Sequence, residues 1–370
     1  MRLSLSVSVL ATVLVCGAHA DGGKSARQFL SMTFELSRAD IARLDAGHVF
    51  SHTLDTIHGR EVATLGIVRI ATPPEEYVRR ATDIVTFKRT EDVFEIGKFS
   101  DRPSLRDVAS LSLDEGDVRR LQSCRIDDCD VRMSADLIQQ FASAVDWRAA
   151  DAGQRANTVM RRVLIDYVTR YLEVGPDALM EYADARPRLN VRDEFASLVD
   201  ADRITWPHVG DLRRHLLQFP QGAAGATDFI YWSKERVHTR PVISATHVVI
   251  MPMPDDSMVR YAIASKQIYA MHYFDASLGL TLLVRDETAA SPTTFVIYLN
   301  RSRIDLFDGV FGSITRRIVS GKARSLVAAQ LGRLQRTFAD SNQSTPTTAS
   351  REKSGSVSVT AAGVPRFLQN

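Results

Sequence analysis

Residues 261–274 read YAIASKQIYAMHYF, and residues 298–338 read YLNRSRIDLFDGVFGSITRRIVSGKARSLVAAQLGRLQRTF. The first stretch is β-branched and aromatic, with the period-2 alternation of a strand. The second leaves a strand, passes a turn and enters a long amphipathic helix, predicted over about 309–338. Strand patterns also occupy 229–237, 246–253, 280–285 and 294–301, separated by turn residues. A meander that closes on one long helix predicts an α+β fold. In it a curved antiparallel sheet surrounds a long C-terminal helix and leaves a cavity between the two.

Side chains two apart on a strand share a sheet face. In 261–274 one set is Tyr261, Ile263, Ser265, Gln267, Tyr269, Met271 and Tyr273. Large apolar bodies with a few hydrogen-bonding tips suit a pocket for an amphipathic ligand, and they suit an ordinary core equally well. On the final helix Val310, Ile314, Ile318, Val327, Leu331, Leu334 and Phe338 form an apolar stripe, with Arg and Lys largely elsewhere. The predicted cavity lining is therefore Tyr261, Ile263, Tyr269, Met271 and Tyr273 from the sheet, with Ile314 and Ile318 from the helix.

Upstream, Ser37 to Asp40 reads as a capping box that opens a short helix ending at Gly47. Strands are predicted at 48–54, 61–71 and 93–99, and Pro73-Pro74 opens a helix over 75–83. Residues 134–219 change character, with helical patterns at 134–145, 154–173, 176–185, 192–199 and 209–219. The strands before this block are too few for independent stability. We therefore read one domain over 21–339, with a helical insertion at about 134–220 and a sheet of roughly seven strands.

The ends have different chemistry. Arg2, an apolar run to Cys16 and Ala18-His19-Ala20 form the pattern of an export signal over 1–20. The run falls short of the roughly 20 residues that a membrane span needs. The expected location is periplasmic or secreted, and any membrane contact transient. Residues 340–370 are Ser-, Thr- and Ala-rich and are read as a disordered tail. The formal charge of +2, with both signs interspersed, gives no footprint for nucleic acid. Cys124 and Cys129, in CRIDDC, are expected to close a local disulfide outside the cytoplasm.

No HExxH, GxSxG, P-loop or GxGxxG motif occurs. His48 and His52 stand four apart, but on a strand they would be roughly 13 Å apart, too far to share an ion. His247 and His272 are read as structural. Arg301, Arg303 and Asp305 are read as a salt-bridged turn leading into the last helix. No catalytic residue, metal or cofactor is assigned.

The order of short helix, strands, the helix after ATPPEEYVRRATD, the meander, and then 298–338 resembles the START-like, or SRPBCC, helix-grip superfamily. The likeness covers approximately 37–133 and 228–338 and skips the helical block. It implies a hydrophobic cavity that takes lipid-, sterol- or polyketide-like molecules, and it carries over no catalytic residues. The expected function is an exported protein that binds a hydrophobic or amphipathic, lipid-like small molecule. The alternatives are a cyclase- or hydrolase-type enzyme working in the same cavity, with His272, Tyr269 or Asp275 acting, and a non-catalytic envelope protein that binds a partner through the helical block.

Overall fold

The computed structural model describes residues 25–223, 225–237, 240–305 and 312–343, with backbone alone for 312–316 and 341–343. The proposed signal, residues 344–370 of the proposed tail and the side chain of Ile314 lie outside it. The strands are β1 (Phe50–Leu54), β2 (Glu61–Ile70), β3 (Val93–Lys98), β4 (Glu181–Tyr182), β5 (Leu189–Asn190), β6 (Thr227–Val237), β7 (Arg240–Pro252), β8 (Val259–Ala270), β9 (Phe274–Arg285) and β10 (Thr294–Ile304). The helices are α1 (Ala26–Phe34), α2 (Arg38–Asp45), α3 (Pro74–Thr82), α4 (Ile84–Phe87), α5 (Glu115–Ser123), α6 (Ala135–Ala144), α7 (Ala152–Val174), α8 (Val191–Ala201), α9 (Gly210–Gln218) and α10 (Gly312–Gln343).

An eight-stranded sheet in the order β1-β2-β10-β9-β8-β7-β6-β3 organises the fold. Each neighbouring pair is antiparallel. Strands from before the helical block therefore complete both edges of the C-terminal meander. The fold is α+β, with one large antiparallel sheet and a long C-terminal helix.

Both faces of the sheet are covered. Helices α1, α2, α8 and α9 pack on one face over Leu65, Ile67, Val249, Ala264, Leu280 and Ile297. Beside them, α5, α6 and α7 cover Ile230, Trp232, Ile243, Ala245 and Ile268 on that same face. The opposite face carries α3, α4 and α10. There Val327, Leu331 and Phe338 pack with Val68, Ile250, Ile263 and Val296. The helix axis comes close to β2 at Gly66, where an added Cβ would lie 2.5 Å from both Val327 and Leu331. Phe338 is 1 % exposed, stacks on Tyr77 at 5.8 Å and takes the Arg80 guanidinium over its ring at 4.4 Å.

Three expectations change. The helix expected at 176–185 is instead a 3-10 turn, Gly175–Ala178, followed by the β4–β5 hairpin. Its backbone groups pair outward: Ala183 N–H donates to the Met133 carbonyl at 2.8 Å, and the Ala183 carbonyl accepts from Asp127 N–H. The strand expected over 261–274 stops at Ala270. Tyr273 takes φ +66, a left-handed conformation that turns the chain into β9. The final helix runs on through 340–343 to Gln343, so those four positions leave the tail. Helices α1 and α5 were not foreseen. Ser25 and Asp114 cap them, accepting from Gln28 N–H and Asp117 N–H.

Candidate functional site

On the α10 face the sheet changes from apolar to polar halfway along its strands. Ser244 and Thr246 of β7, Ser265 and Gln267 of β8, Ser277 and Gly279 of β9, and Tyr298 and Asn300 of β10 lie side by side there. Register makes the row continuous, because Thr246 pairs with Gln267, Gln267 with Ser277, and Gly279 with both Ser265 and Asn300. These groups floor a cleft of about 180 Å³, many times the ~15 Å³ that one water requires. Lys88, just past α4, joins Tyr231 and Glu235 of β6 in the lining, and Val237, Val242 and Phe274 are its apolar members. Gly279 keeps the floor low. A Cβ there would stand 3.2 Å from the Tyr298 hydroxyl and 3.6 Å from Ser265 Cβ.

The charged groups of the cleft pair with each other. Lys88 Nζ donates to Glu235 Oε1 at 2.7 Å and to the Tyr231 hydroxyl at 3.1 Å. Burial works against the Lys88 charge, but Tyr231 and Glu235 outweigh it and raise the pKa. Burial likewise opposes the Glu235 charge, and Lys88 holds that carboxyl below its ordinary range. Among the neutral groups, Asn300 Nδ2 donates to Ser277 Oγ at 3.4 Å, and Ser302 Oγ donates to Asn300 Oδ1 at 2.9 Å. Gln267 Oε1 is buried and has no hydrogen-bond partner.

Directly behind this row, on the other face, a second polar band is filled. His247 and Lys266 are cross-strand neighbours there. The Ala223 N–H donates to His215 Nδ1 at 3.0 Å, so the His215 proton sits on Nε2, which donates to Asp228 Oδ1 at 2.8 Å. His247 Nε2 donates to the same oxygen at 2.8 Å, and its Nδ1 meets the Tyr171 hydroxyl at 3.0 Å. Burial pulls the His247 pKa down. Burial pushes Asp228 up, but the two imidazole donors outweigh it and hold its pKa at about 2. Lys266 is fully buried, and its Nζ has no hydrogen-bond partner. It lies 4.0 Å from the Phe195 ring centroid, and burial lowers its pKa to about 7.

Among the described residues no group of His, Cys, Asp and Glu is arranged to hold a metal ion. The tautomer of His215 agrees, since its Nε2 carries a proton and has no free lone pair.

The residues expected to line one cavity are divided. Tyr261 and Ile263 stay on the α10 face, packed with Val68, Val248 and Leu331. Tyr269 and Met271 lie on the opposite face, packed with α7 residues Val163, Tyr167 and Tyr171. The cause is a β-bulge. Thr246 pairs with Gln267 but Ala245 pairs with Tyr269, so Ile268 is the extra residue and alternation reverses beyond it. The Tyr167 hydroxyl donates to the Ile268 carbonyl at 2.6 Å. Tyr273 joins a small cluster with Val62, Val242, Ile304, Val319 and Ala323. Ile318 is 54 % exposed. None of these six belongs to the cleft lining, whereas Ser265 and Gln267 of the same strand do.

Other side chains singled out in the sequence are accounted for by hydrogen bonds and ion pairs. His272 is buried and meets Asp117 at 2.9 Å. Arg301 pairs with Glu61 at 2.6 Å, Arg303 with Glu194, and Asp305 with Arg132 at 3.0 Å. Asp275 lies between Arg132 and Arg60 at 2.5 and 2.6 Å. His272, Tyr269 and Asp275 all lie away from the cleft lining. Cys124 and Cys129 are disulfide-bonded. Among the described residues no helix is long and apolar enough to cross a membrane.

A salt-bridged turn was expected at Arg301, Arg303 and Asp305, but their partners Glu61, Glu194 and Arg132, like the members of the filled band, come from distant segments and were missed in the sequence. No protein-family model matches this chain, and no curated protein matches it.

Proposed function

We propose that this chain is an exported ligand-binding protein of the START-like, helix-grip kind, which takes an amphipathic, lipid-like molecule into the cleft beside α10. One observation carries the reading: a continuous row of polar side chains lines a cleft between two apolar clusters on one sheet face. A strand face that only served the core would stay apolar, as this one does at Val248, Ile250, Ile263, Leu283 and Val296. Helix α10 contributes to both flanking clusters, through Val319 and Ala323 at one end and Val327 and Leu331 at the other. That placement supports a gripped helix beside the cavity. The polar floor favours an amphipathic ligand, with its polar part inside and its hydrocarbon toward Val237, Val242 and Phe274.

Binding is the better reading than catalysis. The described lining contains no histidine, and its carboxylate, Glu235, is engaged by Lys88. The disulfide supports an oxidising compartment. Native mass spectrometry of protein purified without detergent tests the function. We expect a non-covalent adduct of lipid-like mass that Ser265→Trp abolishes. Bare polypeptide, with no species captured from any lipid extract, would reject the reading.

A further inference from the structure

The chemistry of the cleft narrows the ligand further, on the assumption that the cleft is the binding site. We infer that the polar part of the ligand is an uncharged, multiply hydroxylated group, such as a sugar ring, and not a phosphate, carboxylate or ammonium head.

Three observations lead there. First, Lys88 and Glu235 are the charged groups of the described lining, and they neutralise each other at 2.7 Å. An anionic or cationic head would enter the cleft with no counter-charge to meet it, and a desolvated charge without a partner is strongly disfavoured. Second, the rest of the floor consists of hydroxyl and amide groups: Ser244, Thr246, Ser265 and Ser277, with Gln267 and Asn300. A hydroxyl both donates and accepts, so such a floor matches a ligand whose own groups do the same. Third, Gln267 Oε1 is buried in want of a donor. A sugar or polyol O–H supplies one, whereas a phosphodiester or a carboxylate offers only acceptors.

The aromatic residues Tyr231 and Tyr298 also belong to the lining. An aromatic face takes the C–H side of a ring without asking for charge.

The test compares single-chain amphiphiles that share a tail, titrated into the full-length mature protein by calorimetry below their micellar concentrations. The probes are octyl glucoside, octyl phosphate and octyltrimethylammonium, with free glucose as the tail-less control. We expect octyl glucoside to bind at least about tenfold more tightly than either charged probe, the discrimination typical of a site with unmet hydrogen-bonding groups. Gln267→Leu, which removes the acceptor, should weaken glucoside binding by about tenfold. Gln267→Glu keeps an acceptor at the same reach and should retain it while excluding octyl phosphate further.

Free glucose binding as tightly as octyl glucoside would support the head-group assignment and remove the tail from the ligand. Octyl phosphate or octyltrimethylammonium binding as well as the glucoside would overturn the inference and leave the cleft as an amphiphile site. A glucoside affinity unchanged in a folded Gln267→Leu protein would also overturn it. Absence of binding by every probe would count against the cleft itself.

Discussion

The two faces of the central sheet solve one problem in opposite ways. At the same level of β7 and β8 both faces turn polar, between an apolar cluster above and another below. Behind the sheet, Tyr171 of α7, Phe195 of α8 and His215 of α9 fill that band against Asp228, His247 and Lys266 of the strands. In front of it, no helix of the described chain enters, and Ser265, Gln267, Ser277 and Asn300 are left lining a cleft. Polar residues in a sheet therefore line a cleft only where no helix fills the space over them.

The largest effect is expected in the filled band. Lys266 has its pKa lowered from 10.5 to about 7 by burial. At ~1.4 kcal/mol per unit, that shift caps the destabilisation at about 5 kcal/mol. Between the two values the unfolded chain holds a proton that the folded one lacks, so stability rises with pH from about 7 to about 10.5. Below about 7 the full cost is present. Lys266→Met should therefore stabilise the protein most at pH 7 and below, by several kcal/mol, and by little at pH 10.5. Urea unfolding across that range measures the difference, and a gain independent of pH would show that the amine is not buried as described.

A smaller loss is expected next to it. His247→Leu strips a donor from Asp228 and a partner from the Tyr171 hydroxyl, at a cost of about 2 kcal/mol for groups left unsatisfied. Thr246→Val, one position away on the hollow face, should change stability by no more than about 0.5 kcal/mol. Equal losses at the two positions in chemical denaturation would mean that the cleft is packed.

Much of the framework was legible in the sequence. Alternation located the five strands of the meander, the Ser37 to Asp40 box located α2, and the apolar stripe located α10. The alternation grouped Ser265 and Gln267 with Tyr261 and Ile263 on one face, although neither was named in the predicted lining. What it could not supply was the bulge at Ile268, because its freed carbonyl is taken by Tyr167, 101 positions earlier in the chain. Before that bulge the period-2 rule holds, and beyond it Tyr269 and Met271 change face. Tyr269 and Met271 were assigned to the wrong face for that reason alone. The filled band was hidden likewise, since its members converge from α7, α9, β6, β7 and β8. Residues 176–185, which include β4, were read as helix because the pairing partners of this segment lie around the disulfide, outside any local window.

Two tryptophans, one on β8 and one just past its end, separate a hollow face from a packed one. Ser265 lines the cleft, and Met271, fully buried, touches the α7 side. We expect Ser265→Trp to unfold within about 0.5 kcal/mol of the parent and to lose octyl glucoside binding in calorimetry. Met271→Trp should lose about 1–3 kcal/mol by overpacking and still bind the glucoside. Ser265→Trp destabilised as much as Met271→Trp, or binding the glucoside as well as the parent, would contradict the assignment of the cleft as the ligand site.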